Sequence, residues 1–437
     1  MNKKNCIAWL FNELPALVNA GILDDGTASR LREHYGPMEA KDRRSLAMIV
    51  FAILGFFLVG LGIILVFAHN WENLSKPVRA GLSFAPLVLG WALAGWTIVR
   101  REQFIREGAA VFLMAAVGSS ISLVAQTYHI SGDFPGFMLT WMLLSVPLVY
   151  LMNVSVPAAL YWIGVAVWAC AANGEHRETF LYWPLAAIPL GHLWMAARDN
   201  RHGVRSVSLS WALCLTLCVA LPFALEVAIS GLWKVAYAGL FGVLYLVGDV
   251  WFRAGASFWR RPFQTVAALG TISLSLVLTY EDVWRKESWR YADQWLNETQ
   301  WQNAGNYAAS FGLLAASCCW LGVLVKRKQT DKILYGIFPL LVGAAYFGIS
   351  GKVIPAGVAM AVFNVYLFAL GMVAIVLGLR RSGLAQLNGG LAILSALIVA
   401  RFFDTDLSFA LRGVVFIALG AAFLVANVVM RRKKARI

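Results

Sequence analysis

At 437 residues, 60% hydrophobic and 14% charged, with a mean hydropathy of +0.68, the chain is far too apolar to sustain a solvated globular surface. Each crossing of a bilayer takes roughly 20 apolar residues, so a dozen or more helices consume most of the length and exclude a large extramembrane catalytic domain. A net charge of +14 with pI ≈ 9.7 would suggest nucleic acid in a soluble protein, but Lys- and Arg-rich loops produce the same balance in a polytopic one, so no nucleic-acid partner is expected.

The chain opens on a charged stretch of more than forty residues, which argues against a cleaved signal peptide. Within it Ile7, Leu10, Leu14 and Leu17 recur at helical spacing beside Trp9. After Gly21 and the Asp24-Asp25-Gly26 break, a second helix runs from Thr27 until Gly36-Pro37 stops it. Residues 1–44 are thus predicted as a small cytoplasmic helical hairpin, and 1–40 as a docking element for the membrane or a protein partner, because the Leu stripe is too small to fold alone.

From Leu46 apolar runs alternate with short polar loops, which predicts an all-α polytopic bundle over residues 45–430. The spans fall near 46–68, 80–98, 108–128, 137–152, 155–172, 179–197, 206–229, 232–252, 263–280, 306–325, 333–349, 357–379, 384–400 and 409–430. Fourteen spans is the count this gives; the tight junctions at Asn153 and Ser230-Gly231 leave open twelve, with two re-entrant or fused hairpins. Loops assigned inside carry 23 Lys and Arg, whereas those outside carry 8: Lys76, Arg79, Arg177, Arg285, Lys286, Arg290, Lys352 and Arg401. The bias places both termini in the cytoplasm, the C-terminus as a basic tail at 431–437.

The longest outer loop, 281–305, sets Trp284, Trp289, Trp295 and Trp301 among charges and amides, with Trp284, Tyr291 and Trp295 able to share a helical face. It reads as an interfacial aromatic belt, or else as a stacking platform over a sugar or lipid headgroup. All cysteines but Cys6 lie in apolar runs, so neither a disulfide framework nor a metal framework is expected.

Two segments carry a resemblance: Gly60-Leu-Gly-Ile-Ile-Leu-Val-Phe-Ala-His-Asn-Trp-Glu-Asn-Leu74, and Ala125-Gln-Thr-Tyr-His-Ile-Ser-Gly-Asp133 followed by Trp141. With the hairpin bearing Trp9 and Gly21, they make the first third of the chain resemble an uncharacterised bacterial membrane-protein family, domain of unknown function 2157, with a weaker likeness at Arg401 to Arg412. Where that family has Ala-Asn-Trp, this chain reads Ala68-His69-Asn70-Trp71, with His69 inserted. The resemblance implies a helical bundle in a bacterial inner membrane and carries no established activity.

No Walker loop, zinc-protease motif, dinucleotide fingerprint or nucleophile elbow stands in a credible context, so no cofactor is expected. The polar residues instead gather in three outer loops: His69, Asn70, Trp71 and Glu72; Gln126, His129 and Asp133; Arg401, Asp404 and Arg412. Gln126 and His129, one helical turn apart, are expected to point together into the bundle. Bland readings stand beside these: interfacial or capping groups at 69 and 72, an interhelical hydrogen bond at 126 and 129, a structural pair between Arg401 and Asp404. No compact ligand spacing favours a metal. Deeper in the membrane, Glu226, Asp249 and His192 are the ionisable candidates, and Asp249 has Arg253 one turn on. Three functions remain: a transporter or translocator of a small polar or lipid-linked substrate; a non-catalytic sensor or assembly factor working through residues 1–40; and an outer-face enzyme on a lipid-linked substrate, with Glu72, His129, Asp133 or Asp404 as acid and base. Membrane lipids are partners of all three.

Overall fold

The computed structural model describes residues 21–35, 73–100, 103–175, 177, 179–225, 231–252, 258–288, 301–326, 332–380 and 383–404, with isolated positions at 10, 13, 14, 17, 18, 414, 417, 420, 421 and 424. Among the described residues there is no strand. The chain divides into two compact units, Met1–Arg79 and Ala80–Ile437.

In the first unit Leu10, Glu13, Leu14, Leu17 and Val18 are helical or buried as the stripe requires, with Leu14 fully buried. Gly21 (φ 68) reverses the chain, its neighbour Ile22 donating its N–H to Leu17 O at 3.0 Å. Helix α1, Asp25–Tyr35, begins inside the stretch read as a break, because Asp24 Oδ2 accepts from Thr27 N–H at 3.0 Å and caps it.

The second unit is a helical bundle. In chain order its helices are α2 (Lys76–Arg100, which starts in the first unit), α3 (Gln103–Tyr128), α4 (Phe134–Leu151), α5 (Val156–Gly174), α6 (Tyr182–Ala187), α7 (Leu190–Asn200), α8 (Val204–Ala224), α9 (Leu232–Trp251), α10 (Pro262–Val277), α11 (Asp282–Ser288), α12 (Trp301–Lys326), α13 (Ile333–Ser350), α14 (Ala356–Arg380) and α15 (Leu384–Asp404). Ten of them are long and apolar enough to cross a membrane: α2 to α5, α8, α9 and α12 to α15. Two expected spans differ. The run at 179–197 is interrupted, forming α6 and α7, and the run at 263–280 yields only the 16-residue α10. The runs at 46–68 and 409–430 lie wholly or mostly outside the described residues, as do most of the basic tail and residues 289–300 of the Trp-rich loop.

Among the described spans helix α9 is the most enclosed and packs on α10, α12 and α13; α5 is wedged between α4 and α8. Small residues allow the closest approaches, as expected where lipid offers no hydrophobic drive for association. A Cβ at Gly239 would sit 2.9 Å from the Leu313 backbone carbon, and one at Gly378 in α14 only 2.6 Å from Leu387 N in α15. Ser317 Oγ crosses the first of these seams to donate to Gly239 O at 3.0 Å.

Turns follow one recipe. His129 (φ 53), Asn153 (φ 51) and Lys352 (φ 56) take the left-handed conformation just past α3, α4 and α13. The following N–H reaches back to the last turn in each: Ile130 to Ala125 O, Val154 to Val149 O, Val353 to Gly348 O. This is the Schellman closure, which usually employs glycine. The contacts between loops also respect the alternation of spans. Asp133–Arg177, Thr179–Ala224, Lys234–Val283 and Arg401–Thr279 join loops at one end. Glu107–Ser155, Arg205–Asn153, Trp211–Trp259 and Asp249–Lys332 join loops at the other.

Candidate functional site

The interruption between α6 and α7 is built by Pro189. Proline lacks the N–H that would close on Leu185 O and its ring crowds that carbonyl, and Leu185 O accepts from Ile188 N–H at 3.2 Å instead. Ile188 and Pro189 keep right-handed dihedrals, so the chain loses rungs of hydrogen bonds without reversing. The freed carbonyls find side chains. Trp162 of α5 donates its indole N–H to Ala186 O at 2.9 Å, and the Tyr150 hydroxyl of α4 donates to Ile188 O. Gly191 keeps the way open, since a Cβ there would lie 3.1 Å from the Tyr150 oxygen.

One turn beyond the interruption stands His192, fully buried and edge-on to Tyr150. Its Nε2 is 3.1 Å from Nη2 of Arg205, at the start of α8. A guanidinium only donates, so Nε2 accepts, the proton sits on Nδ1, and the imidazole is neutral. Nδ1 is buried with no hydrogen-bond partner among the described residues. Arg205 donates from Nε to Ser155 Oγ (2.5 Å) and from Nη2 to both oxygens of Asn153 (2.7 and 2.6 Å). Glu107 of α3 covers the start of α5, accepting from Ser155 N–H at 2.8 and 2.9 Å and from Val156 N–H at 2.9 Å, where the helix dipole favours a negative charge. Among the described residues Arg205 has no carboxylate within salt-bridge reach. Two further buried hydroxyls, Tyr161 in α5 and Ser206 beside Arg205 in sequence, have no partner among the described residues. Buried polar atoms are nearly always satisfied in folded proteins, so unpartnered polar groups beside an interrupted helix make this the candidate site among the described residues.

Of the outer-loop residues singled out in the sequence, the structure describes Gln126, His129, Asp133 and Arg401. Gln126 and His129 are both exposed, and His129 lies past the end of α3 in the left-handed closure, so the two do not point together into the interior. Asp133 caps α4 through Gly136 N–H (2.7 Å) and pairs with Arg177 (2.9 Å), which also holds Glu175 (3.0 Å). The arginine, foremost, and the cap hold the Asp133 carboxyl below its ordinary pKa. Arg401 donates to Thr279 Oγ1 at 3.1 Å and lies 4.7 Å over the Tyr280 ring. His69, Asn70, Trp71, Glu72 and Arg412, like the Asp404 side chain, lie outside the described residues, as does Glu226.

Three expectations need correction or completion. Trp284 is fully buried, stacked on Phe363 and donating to Leu278 O at 2.9 Å, so it belongs to no headgroup belt. Asp249 pairs with Lys332 across the bundle and takes a long 3.5 Å contact from Gln264. The sequence reading missed Lys234, which is fully buried in α9 with Nζ donating to Val283 O (2.6 Å) and lying 4.5 Å over the Trp284 ring. A charged residue three positions into a span is the only signal it gave.

Among the described residues, ten membrane-length apolar helices packed on one another, with polar side chains turned inward at both ends, define a multi-pass membrane protein. Residues 15–158 match the family model described as Predicted membrane protein (DUF2157), the family that the two quoted segments resemble. The matched stretch takes in α1 to α4, Glu107 and Tyr150, and ends just after Ser155. No curated protein and no solved structure matches the chain.

Proposed function

We propose that the protein is a transporter or translocator of a small polar or lipid-linked substrate in a bacterial inner membrane, with the interrupted α6–α7 segment lining the path. The observation that carries this reading is the break at Pro189 beside buried His192 and Arg205. Non-helical backbone at membrane depth is tolerated where it is buried in protein or lines a hydrated cavity, and discontinuous helices supply the binding site in many secondary transporters. The unmatched guanidinium of Arg205 selects an acidic group on the substrate, and neutral His192 with the unpartnered hydroxyls suits its remaining polar atoms. The imbalance of basic residues orients the Arg205 end, and both termini, toward the cytoplasm. A thermal-shift panel of small carboxylates, phosphate esters and neutral polar metabolites tests the reading. An acidic member should stabilise the wild type by about 2.7 kcal/mol at a hundredfold excess over Kd and leave Arg205→Gln unshifted. Stabilisation of both proteins alike would remove Arg205 from the site.

A second reading, a sensor or assembly factor, draws on the compact first unit, Met1–Arg79. Deleting residues 1–40 separates the two: a transporter whose path lies in the second unit keeps substrate binding, whereas a sensor loses its co-purifying partner.

A further inference from the structure

A different surface carries a second binding site. Trp194, Ala197 and Arg198 on α7 and Arg201 at its C-cap, which keeps helical dihedrals, follow one another at helical spacing and so share a face. Together with Trp251, the last residue of α9, they line a cavity of about 110 Å³. Its walls are two indoles set edge to face at 5.4 Å, and the Arg201 guanidinium is held 5.8 Å over the Trp251 ring. Among the described residues no carboxylate lies within salt-bridge reach of Arg198 or Arg201, although both are exposed and Asp199 is adjacent in sequence. The indole N–H of Trp251, on the cavity wall, is buried and has no partner among the described residues. Among the described residues, the cavity lining therefore offers two cations with no carboxylate partner and an unused donor, and it includes no acidic side chain.

Its surroundings select the anion's carrier. Trp194 (57%), Met195 (43%) and Val250 (57%) are exposed beside it, an apolar collar that water would not favour and acyl chains would cover. Basic pockets between membrane helices at the cytoplasmic end suit lipid phosphates, and indoles favour the headgroup level. We infer that the Trp194–Arg198–Arg201–Trp251 cavity binds the phosphate headgroup of an anionic phospholipid, the two guanidiniums taking the phosphate oxygens and the indoles flanking the glycerol region. The site stands independently of the proposed transport path, since none of its residues contacts the His192–Arg205 cluster through a hydrogen bond.

The test is native mass spectrometry of the purified full chain, titrated with phosphatidylglycerol and, separately, with phosphatidylcholine of the same acyl chains. Phosphatidylglycerol should be retained in preference, and Arg198→Gln combined with Arg201→Gln should weaken its binding about thirty-fold, each basic side chain at an anionic surface being worth roughly five-fold. The Lys replacements at both positions should restore most of the binding, which separates lost charge from lost fold. Arg177→Gln, at the opposite end of the bundle, should change nothing. Equal retention of the two lipids, or retention by the double Gln variant as strong as by the wild type, would overturn the proposal. So would inorganic phosphate that binds and is lost with the two arginines while phosphatidylglycerol does not bind, because the ligand would then be a soluble anion.

Discussion

His129 shows how a residue's surroundings decide its meaning. In the sequence it stands one turn from Gln126 and reads as half of a polar pair; in the fold it is the left-handed residue that closes α3. A non-glycine residue held there costs about 1 kcal/mol or more, so His129→Gly should raise the melting temperature, and a lowered one would show that the imidazole makes a contact that matters. Lys234 is the opposite case. Its buried ammonium donates to Val283 O and lies over the faces of Trp284 and Trp233. Lys234→Met should destabilise the fold by about 1.5 to 3 kcal/mol, the usual worth of a hydrogen bond to a charged group, as read by thermal unfolding in detergent. Asp133 gives a pH signature. Because Arg177 and the Gly136 N–H lower its pKa in the folded state, its contribution is present above the ordinary carboxylate range and is lost as pH falls through the lowered value. Asp133→Asn should therefore melt earlier than wild type at neutral pH, the gap closing in acid; a gap independent of pH would assign the effect to capping alone.

At the scale of elements, most span boundaries were legible because hydrophobic runs and polar loops report directly on lipid and water. The α6–α7 interruption was not legible, and the reason is physical. Pro86, Pro147, Pro222 and Pro339 all lie inside helices that continue through them, so a proline alone does not announce a break. What distinguishes Pro189 is the supply of donors for the freed carbonyls, Trp162 and Tyr150, which come from helices 27 and 39 residues earlier in the chain and meet it only in the fold. The same holds for Arg205, whose partners Asn153 and Ser155 belong to a turn 52 and 50 residues away. His192 could be singled out as an ionisable group in an apolar run; its partner could not. Pro189→Ala restores an amide to the ladder and should leave the melting temperature unchanged or higher while reducing substrate binding. At the α14–α15 seam, Gly378→Leu puts a side chain where the Leu387 backbone lies and should cost about 1 to 3 kcal/mol by overpacking; an unchanged melting temperature would mean that the two helices do not approach as closely as described.

Across the whole molecule, hydropathy fixes the class and contacts between loops sort the two ends; the proposed orientation rests on the excess of basic residues in the loops at one of them. Polar residues were legible at both ends, but a sequence cannot tell exposed ones such as Gln126 from those folded inward, because that depends on which helix covers them. A C-terminal alkaline phosphatase fusion should be inactive and a fluorescent protein there should glow; the opposite pair would invert every assignment of face. The central claim, that the interrupted segment lines a path, is tested most directly by a cysteine placed at position 192 in a chain whose six native cysteines have been replaced. If the account holds, a membrane-impermeant thiol reagent labels it in vesicles of either orientation, and a bound substrate protects it. Labelling from neither side, in a protein that remains folded, would make His192 a sealed core residue and contradict the account.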